Sequence, residues 1–289
     1  MSSAQTQTTD VAFTFVQMLA TELSSGRLEL PSFPEIAIRV RRVLADEQST
    51  LDKVVRVVGS EPALAARLLR IANSASLNTT GKPIVDLRTA INRMGYNMVR
   101  SASMSFAMAQ IRNNNKLASV KAQLDELWER STLVAAIAYV IARRYTKLNA
   151  DSALLAGTMH GIGKLYIYTR VAARPELFFT ASAVGRIVEE WHAQIARAIL
   201  ESWGFSEDMV TAISEQDDPD RAGLGDADLA DVLATANLVA SFAGDPSQLS
   251  DVAAGLAAPV RVQLDAGRMK QILDESALEI AALRNALGG

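Results

Sequence analysis

The sequence predicts an all-α fold. Ala and Leu abound while aromatic residues make up 6% and prolines number eight. Helix start signals recur along the chain, and nowhere is strand alternation bounded by hairpin turns convincing. A length of 289 residues suits two domains or one large one, and chains of this size bury roughly 75% of their unfolded surface without covalent staples.

Ser32-Phe-Pro-Glu35 has the S-x-x-E form of a capping box, with Pro34 inside the first turn. The apolar residues that follow, Ile36, Ile38, Val40, Val43 and Leu44, do not choose between periods, so this start signal decides for helix. Ser49 and Asp52 offer a second capping pair. Ser60-Glu61-Pro62 opens a third helix with Pro62 at its first position, and Leu64, Leu68 and Ile71 form its apolar stripe, widened by Leu69. Asn73 to Lys82 reads as helix end and loop. A helix over Asp86 to Met94 breaks near Gly95 and another continues after Tyr96. Lys116 to Arg144 lacks Gly and Pro and reads as one long helix, buried on most sides over the uncharged Ser131 to Ala142. Further helices are expected over Asp151 to about His160, with Gly161 and Gly163 disturbing the end, and over Phe178 to Trp203, where Gly185 marks a bend or the true start. Ser206 to Ser214, Asp226 to Ala243 and Arg268 to Leu287 complete the chain. The helices fall into an N-terminal and a C-terminal group, with no repeat.

Composition excludes several functions. There is no cysteine, hence no disulfide and no thiolate metal site, and only two histidines, His160 and His192, hence no His-rich centre. With 49% apolar and 21% charged residues the chain is not disordered at large. The amino terminus lacks the basic start and apolar run of a signal peptide. The longest uncharged stretch, Val232 to Gly244, has 13 residues, against the roughly 20 needed to span a bilayer. A soluble, cytoplasmic protein is expected. Residues 1–150 hold 19 Lys and Arg against 12 Asp and Glu, a net of +7, and residues 151–289 hold 10 against 20, a net of −10. Such asymmetry fits an electropositive binding surface or two halves that attract one another.

The most informative stretch is Leu154-Leu-Ala-Gly-Thr-Met-His-Gly-Ile-Gly-Lys-Leu165. It resembles the segment that defines the HD superfamily of metal-dependent phosphohydrolases, where adjacent His and Asp both ligate metal. Here the His is His160 and the Asp position is Gly161, which has no side chain to offer. Leu30-Pro-Ser-Phe-Pro-Glu35, Glu61-Pro-Ala-Leu-Ala-Ala-Arg-Leu-Leu-Arg-Ile-Ala-Asn-Ser-Ala75 and Ala90-Ile-Asn-Arg-Met-Gly95 resemble the HDOD domain, the HD-related output domain of bacterial signalling. Trp128-Glu-Arg-Ser131, Glu189-Glu-Trp-His192 and Leu200-Glu-Ser-Trp203 continue its pattern in order, so the resemblance covers roughly Leu30 to Pro219.

The resemblance implies a two-lobed helical bundle and a regulatory rather than catalytic role. Residues 1–25 are then an N-terminal helix or extension and 26–289 the HDOD domain, with an N-terminal lobe over about 26–112 and an HD-like lobe over about 113–289. It also places the family's other metal-ligand positions on Arg130, Gln216, Asp217 and Asn237, leaving His160 and His192 as the surviving imidazoles of a vestigial site. Two imidazoles without an assured carboxylate do not hold a catalytic metal, although Asp217 or Glu190 would suit Mg or Mn as oxygen donors. No catalytic residue, metal or cofactor is therefore expected.

Each singled-out residue also has a plain structural reading. His160 and His192 read as hydrogen-bonded core residues, His192 between its own helix and the helix ending near His160; a regulatory ligand site and a metal remain the alternatives. Trp128, Trp191 and Trp203 read as core. Glu215 to Asp231, with seven acidic residues and Arg221 as the one base, reads as a solvated loop and helix start. Arg39 with Arg42, and Arg67 with Arg70, are same-face pairs three residues apart. They are either solvated or paired with Asp52, Glu61 or the acidic half, or else one basic patch, if their helices pack antiparallel, for an acidic signalling protein or anionic signalling ligand. Nucleic acid is disfavoured, since aromatic interleaving and a reading motif are missing. The functional expectation is a non-catalytic bacterial signalling protein that binds partners, with a residual HD-type phosphohydrolase, for example on a cyclic nucleotide, as the alternative.

Overall fold

A computed structural model describes residues 17–18, 20–22, 24–25, 33–74, 77–78, 81–174, 181–218, 221, 225–245, 249 and 257–287. All regular structure among these is helical, and none of the helices is long and apolar enough to cross a membrane.

Local chemistry sets most helix starts. α1 (Glu35–Ala45) begins after Pro34, which caps it without any side-chain hydrogen bond. The expected capping box is corrected to that extent: Pro34 precedes the first turn, and Ser32 lies outside the described residues. α2 (Leu51–Gly59) is capped by Thr50, whose hydroxyl accepts from the Lys53 N–H at 3.4 Å. Ser49, the expected cap, donates instead to the Asp46 carboxylate. α3 (Pro62–Ala72) has Pro62 in its first turn, where the missing N–H costs nothing. Its Leu64, Leu68 and Ile71 are buried, each contributing roughly 1.5–3 kcal/mol.

α4 (Leu87–Arg112) is capped by Asp86, which accepts from the Thr89 N–H at 2.8 Å. It is two helices joined across Gly95, whose φ of 72° and ψ of 166° suit only a residue without Cβ. The long helix expected from Lys116 starts later. A 3-10 helix (Asn115–Val120), capped by Asn114, precedes α5 (Lys121–Tyr145), because the Asn114 side chain captures the Lys116 N–H at 3.0 Å. The segment Ser131 to Ala142 is buried apart from the partly exposed Leu133, as expected.

α6 (Ala150–Met159) and α7 (Ile162–Ala173) meet at His160-Gly161. α8 (Ala181–Ser202) holds Gly185 inside it, so that glycine is not its start, and Phe178 lies outside the described residues. α9 (Glu207–Ser214) and α10 (Leu229–Ser241) follow, the latter opened by a reciprocal Asp228–Asp231 capping box. After α11 (Ala257–Arg261), the single closing helix expected from Arg268 is two, α12 (Ala266–Glu275) and α13 (Ala277–Leu287), parted at Ser276.

α1, α2 and α3 pack on α4, which also meets α5 and α6. α5 is central to the rest, touching α6, α7, α10, α12 and α13, while α8 packs between α7 and α9. Two glycines set the closest approaches. A Cβ on Gly157 would lie 2.4 Å from the Ala135 Cα, and one on Gly163 would lie 1.9 Å from the His192 carbonyl oxygen. Gly163 therefore does not disturb the end of α6. It lies in the first turn of α7 and lets α8 come close.

Candidate functional site

The residues that the sequence assigned to ligand positions come from five places along the chain, and the fold brings them together. Arg130 stands on α5, His160-Gly161 at the α6–α7 corner, His192 on α8, Gln216-Asp217 just past α9, and Asn237 on α10. Four of them form one continuous hydrogen-bonded chain. The Arg130 Nη2 donates to the Asn237 backbone carbonyl at 3.0 Å, to its Oδ1 at 3.3 Å, and to the Ser241 hydroxyl at 2.9 Å. The Asn237 Nδ2 donates to the Gln216 Oε1 at 2.6 Å, and the Gln216 Nε2 donates to the His160 carbonyl at 2.9 Å. Gln216 and Asn237 are buried, where an amide left without partners costs about 1–3 kcal/mol. Here both amides are engaged.

The two histidines differ. His160 Nδ1 lies 2.7 Å from the Gly157 carbonyl oxygen. A carbonyl only accepts, so this nitrogen carries the proton of the neutral ring. Burial pulls the His160 pKa down to about 4, against the opposing pull of the Gly157 hydrogen bond. The ring is therefore neutral at pH 7. His192 is also shifted down, first by burial and then by the Lys164 charge, while Asp217 opposes the shift. Its Nε2 lies 3.5 Å from the Asp217 Oδ2, a carboxylate half open to solvent. Its backbone carbonyl lies against Gly163 of α7. Glu190 is exposed.

Gly161 has no spare room beside it. A Cβ there would lie 2.5 Å from the Leu127 Cδ1 and 3.3 Å from its Cγ. Any side chain at 161 therefore requires the Leu127 side chain to shift. Arg130 adds a fixed positive charge; burial lowers its pKa, with Asp217 and Glu126 opposing. Among the described residues no group of three or more His, Cys, Asp or Glu is placed to hold a metal ion. Two imidazoles and a carboxylate can bind a divalent metal in principle, but His160, His192 and Asp217 are not placed as one such group, and the Arg130 guanidinium beside them opposes a cation.

The four arginines expected to form one patch do not. Arg39, Arg42 and Arg70 are exposed, but Arg67 is buried at 7% exposure. α1 and α3 pack on α2 and α4 instead of forming an antiparallel pair with each other. Nor do these arginines join an ion pair among the described residues: Asp52 binds Arg88, and Glu279 of the acidic half takes Arg143 and Arg144. The tryptophans split. Trp128 is buried, whereas Trp203 is partly exposed, with the Phe33 ring 4.8 Å and the Arg41 guanidinium 5.0 Å from its centre.

One cluster was missed. Asp231, expected in a solvated acidic stretch, is 1% exposed and accepts from both Arg221 and Arg261. Arg221 also binds Asp228 at 2.5 Å and Glu215 at 3.2 Å. The sequence signal was Arg221 itself, the single base among seven acids.

The model of the HDOD domain matches residues 30–219. Among solved structures, a proposed metal-dependent phosphohydrolase from Shewanella amazonensis SB2B is 26% identical, with a TM-score of 0.70 over 96% of this chain and 99% of that one. A proposed phosphohydrolase from the same organism is 22% identical, with a TM-score of 0.63 over 93% and 98%. An HDOD domain protein of unknown function from Geobacter sulfurreducens is 22% identical, with a TM-score of 0.64 over 99% of both chains. A comparison with curated proteins returns no match.

Proposed function

From the premise that this chain belongs to the HDOD family, we propose that it is a non-catalytic regulatory protein of bacterial signalling, acting by binding rather than by hydrolysis. The observation that carries this reading is the closed chain from Arg130 through Asn237 and Gln216 to His160. A hydrolytic metal needs lone pairs aimed at one point and an open position for water. At the positions of Gln216 and Asn237 the side-chain amides are spent on each other, on Arg130 and on the His160 backbone carbonyl, and the aspartate position is a glycine with no carboxylate to offer. The centre is then a polar pin joining α5, α6, α9 and α10, through which the binding of a partner would alter helix packing.

Elemental analysis of the purified protein, together with hydrolysis assays on cyclic and linear phosphodiesters, tests the proposal. The expected result is no stoichiometric transition metal and no hydrolysis. About one Fe, Mn or Zn per chain, lost in His160→Ala, would overturn it. The second reading, a residual phosphohydrolase, is favoured by the name given to the 26% identical relative and by the pairing of His192 with Asp217.

A further inference from the structure

Arg67 is enclosed but not neutralised. It sits on α3 at 7% exposure, yet it joins no ion pair with any described residue. Its Nη2 donates to the Ser105 hydroxyl at 2.9 Å, which donates onward to the Leu287 carbonyl at 2.7 Å. Its Nε is buried with no partner. No carboxylate pairs with it among the described residues; the nearby Arg112 is itself paired with Asp125 at 3.4 Å, and the Trp128 ring offers Arg67 only a cation–π contact. The guanidinium carbon lies 6.0 Å from the centre of the Trp128 ring, and that of Arg112 lies 5.5 Å from the same ring. Arg70 stands one turn away on α3.

A buried cation is ordinarily matched by a carboxylate or held by a full set of acceptors. Arg67 has neither, and it lines an open cleft of about 530 Å³. The other walls suit an anion on a small organic body. Gln110, Asn113 and Asn114 bring amide groups, Phe106 brings an apolar face, and Pro34 marks the start of α1. Among the described residues no side chain caps that helix start, and its partial positive charge favours an anion.

We propose that this cleft is a binding site for the oxoanion group of a small molecule, a phosphoryl or carboxylate group, with Arg67 as its anchor. The planar fork of arginine presents paired donors to two oxygens of such a group, and the amides at the rim complete its shell. The site is separate from the Arg130 centre and does not depend on whether that centre is catalytic. Metal analysis decides the one, and substitutions around Arg67 decide the other.

Thermal melts and calorimetric titrations at constant ionic strength test it, with inorganic phosphate, phenyl phosphate, acetate and benzoate as probes and chloride as control. Saturating probe should raise the melting temperature by about 5 °C. Arg67→Met should remove that rise and weaken binding at least tenfold, and Arg67→Lys should restore it only in part. A response to the phosphates alone assigns a phosphoryl ligand, and one to acetate and benzoate alone assigns a carboxylate; either supports the site. Phosphate also stabilises proteins generally by exclusion from their surface, so the difference between wild type and Arg67→Met is what counts. If Arg67→Met does not fold, Gln110→Ala and Asn113→Ala replace it, each expected to weaken binding several-fold. No response to any probe, or an equal response in wild type and variants, overturns the proposal.

Discussion

Arg130 and Arg67 are two arginines drawn into the helical packing, and their surroundings treat them oppositely. The Arg130 Nη2 meets three acceptors, and the amides beyond it are matched to each other and to the His160 carbonyl. Arg67 is the more deeply buried of the two, yet among the described residues it makes a single side-chain hydrogen bond. The difference teaches that burial alone does not mark a structural arginine. What separates the two is whether the donors are used. A closed network resists change at any member, whereas an open one tolerates loss of the cation and responds to an added anion.

The largest expected effect concerns the frame of the closed centre. Gly163→Ala would drive a methyl group into the His192 carbonyl, 1.9 Å away, and backbone on both sides leaves little room to yield. A loss of about 3 kcal/mol or more is expected in chemical denaturation. A loss under 1 kcal/mol would mean that α7 and α8 slide freely, and the centre would not be rigid.

Acid should strain the same centre. The folded state keeps His160 neutral down to about pH 4, while the unfolded chain protonates it near 6.5. Protons therefore favour unfolding: stability is full above pH 6.5 and falls by about 3 kcal/mol as pH drops to 4. The downward shift of His192 acts in the same direction. His160→Gln should flatten most of this dependence in melts across that range, and an unchanged slope would place the sensitivity elsewhere.

Asn237→Leu breaks the chain of amides directly. It leaves the Gln216 Oε1 without its donor and takes one side-chain acceptor from Arg130, for an expected loss of about 2–3 kcal/mol. The smallest effect is expected at the open arginine. Arg67→Met should change stability by less than about 1 kcal/mol without added anion, because Ser105 keeps its bond to the Leu287 carbonyl. A large loss there would show that Arg67 is structural, and the contrast between the two sites would vanish.

Legibility followed distance along the chain. Pro62, Asp86 and Gly95 were readable because each acts on its own turn of backbone. The parting of α12 from α13 at Ser276 had no such marker, and Thr50 stood beside an equally plausible Ser49. At the centre, alignment with the family motifs placed Arg130, His160, His192, Gln216 and Asn237 in one neighbourhood. It said nothing of the bonds among them, since Arg130 and Asn237 lie 107 residues apart. Arg67 and Arg70 were rightly placed near one another, but spacing along a helix reports direction and not depth. The burial of Arg67 depends on α4 and α13 folding over it, which no local pattern encodes.

The overlap between Gly161 and Leu127 bears on where this sequence can travel. A carboxylate at 161 needs an adjustment of Leu127 as well as the codon change. Gly161→Asp made first meets the Leu127 side chain at 2.5 Å, and overpacking of this kind typically costs about 1–3 kcal/mol. Leu127→Ala made first opens a void beside Leu124, Trp128 and Leu165, at a cost of about 2–5 kcal/mol. Either order of steps crosses a less stable ancestor before the two changes relieve one another. The fate of Gly161 is thus tied to the rotamer of Leu127, which has the small cavity beside Leu124, Trp128 and Leu165 to move into.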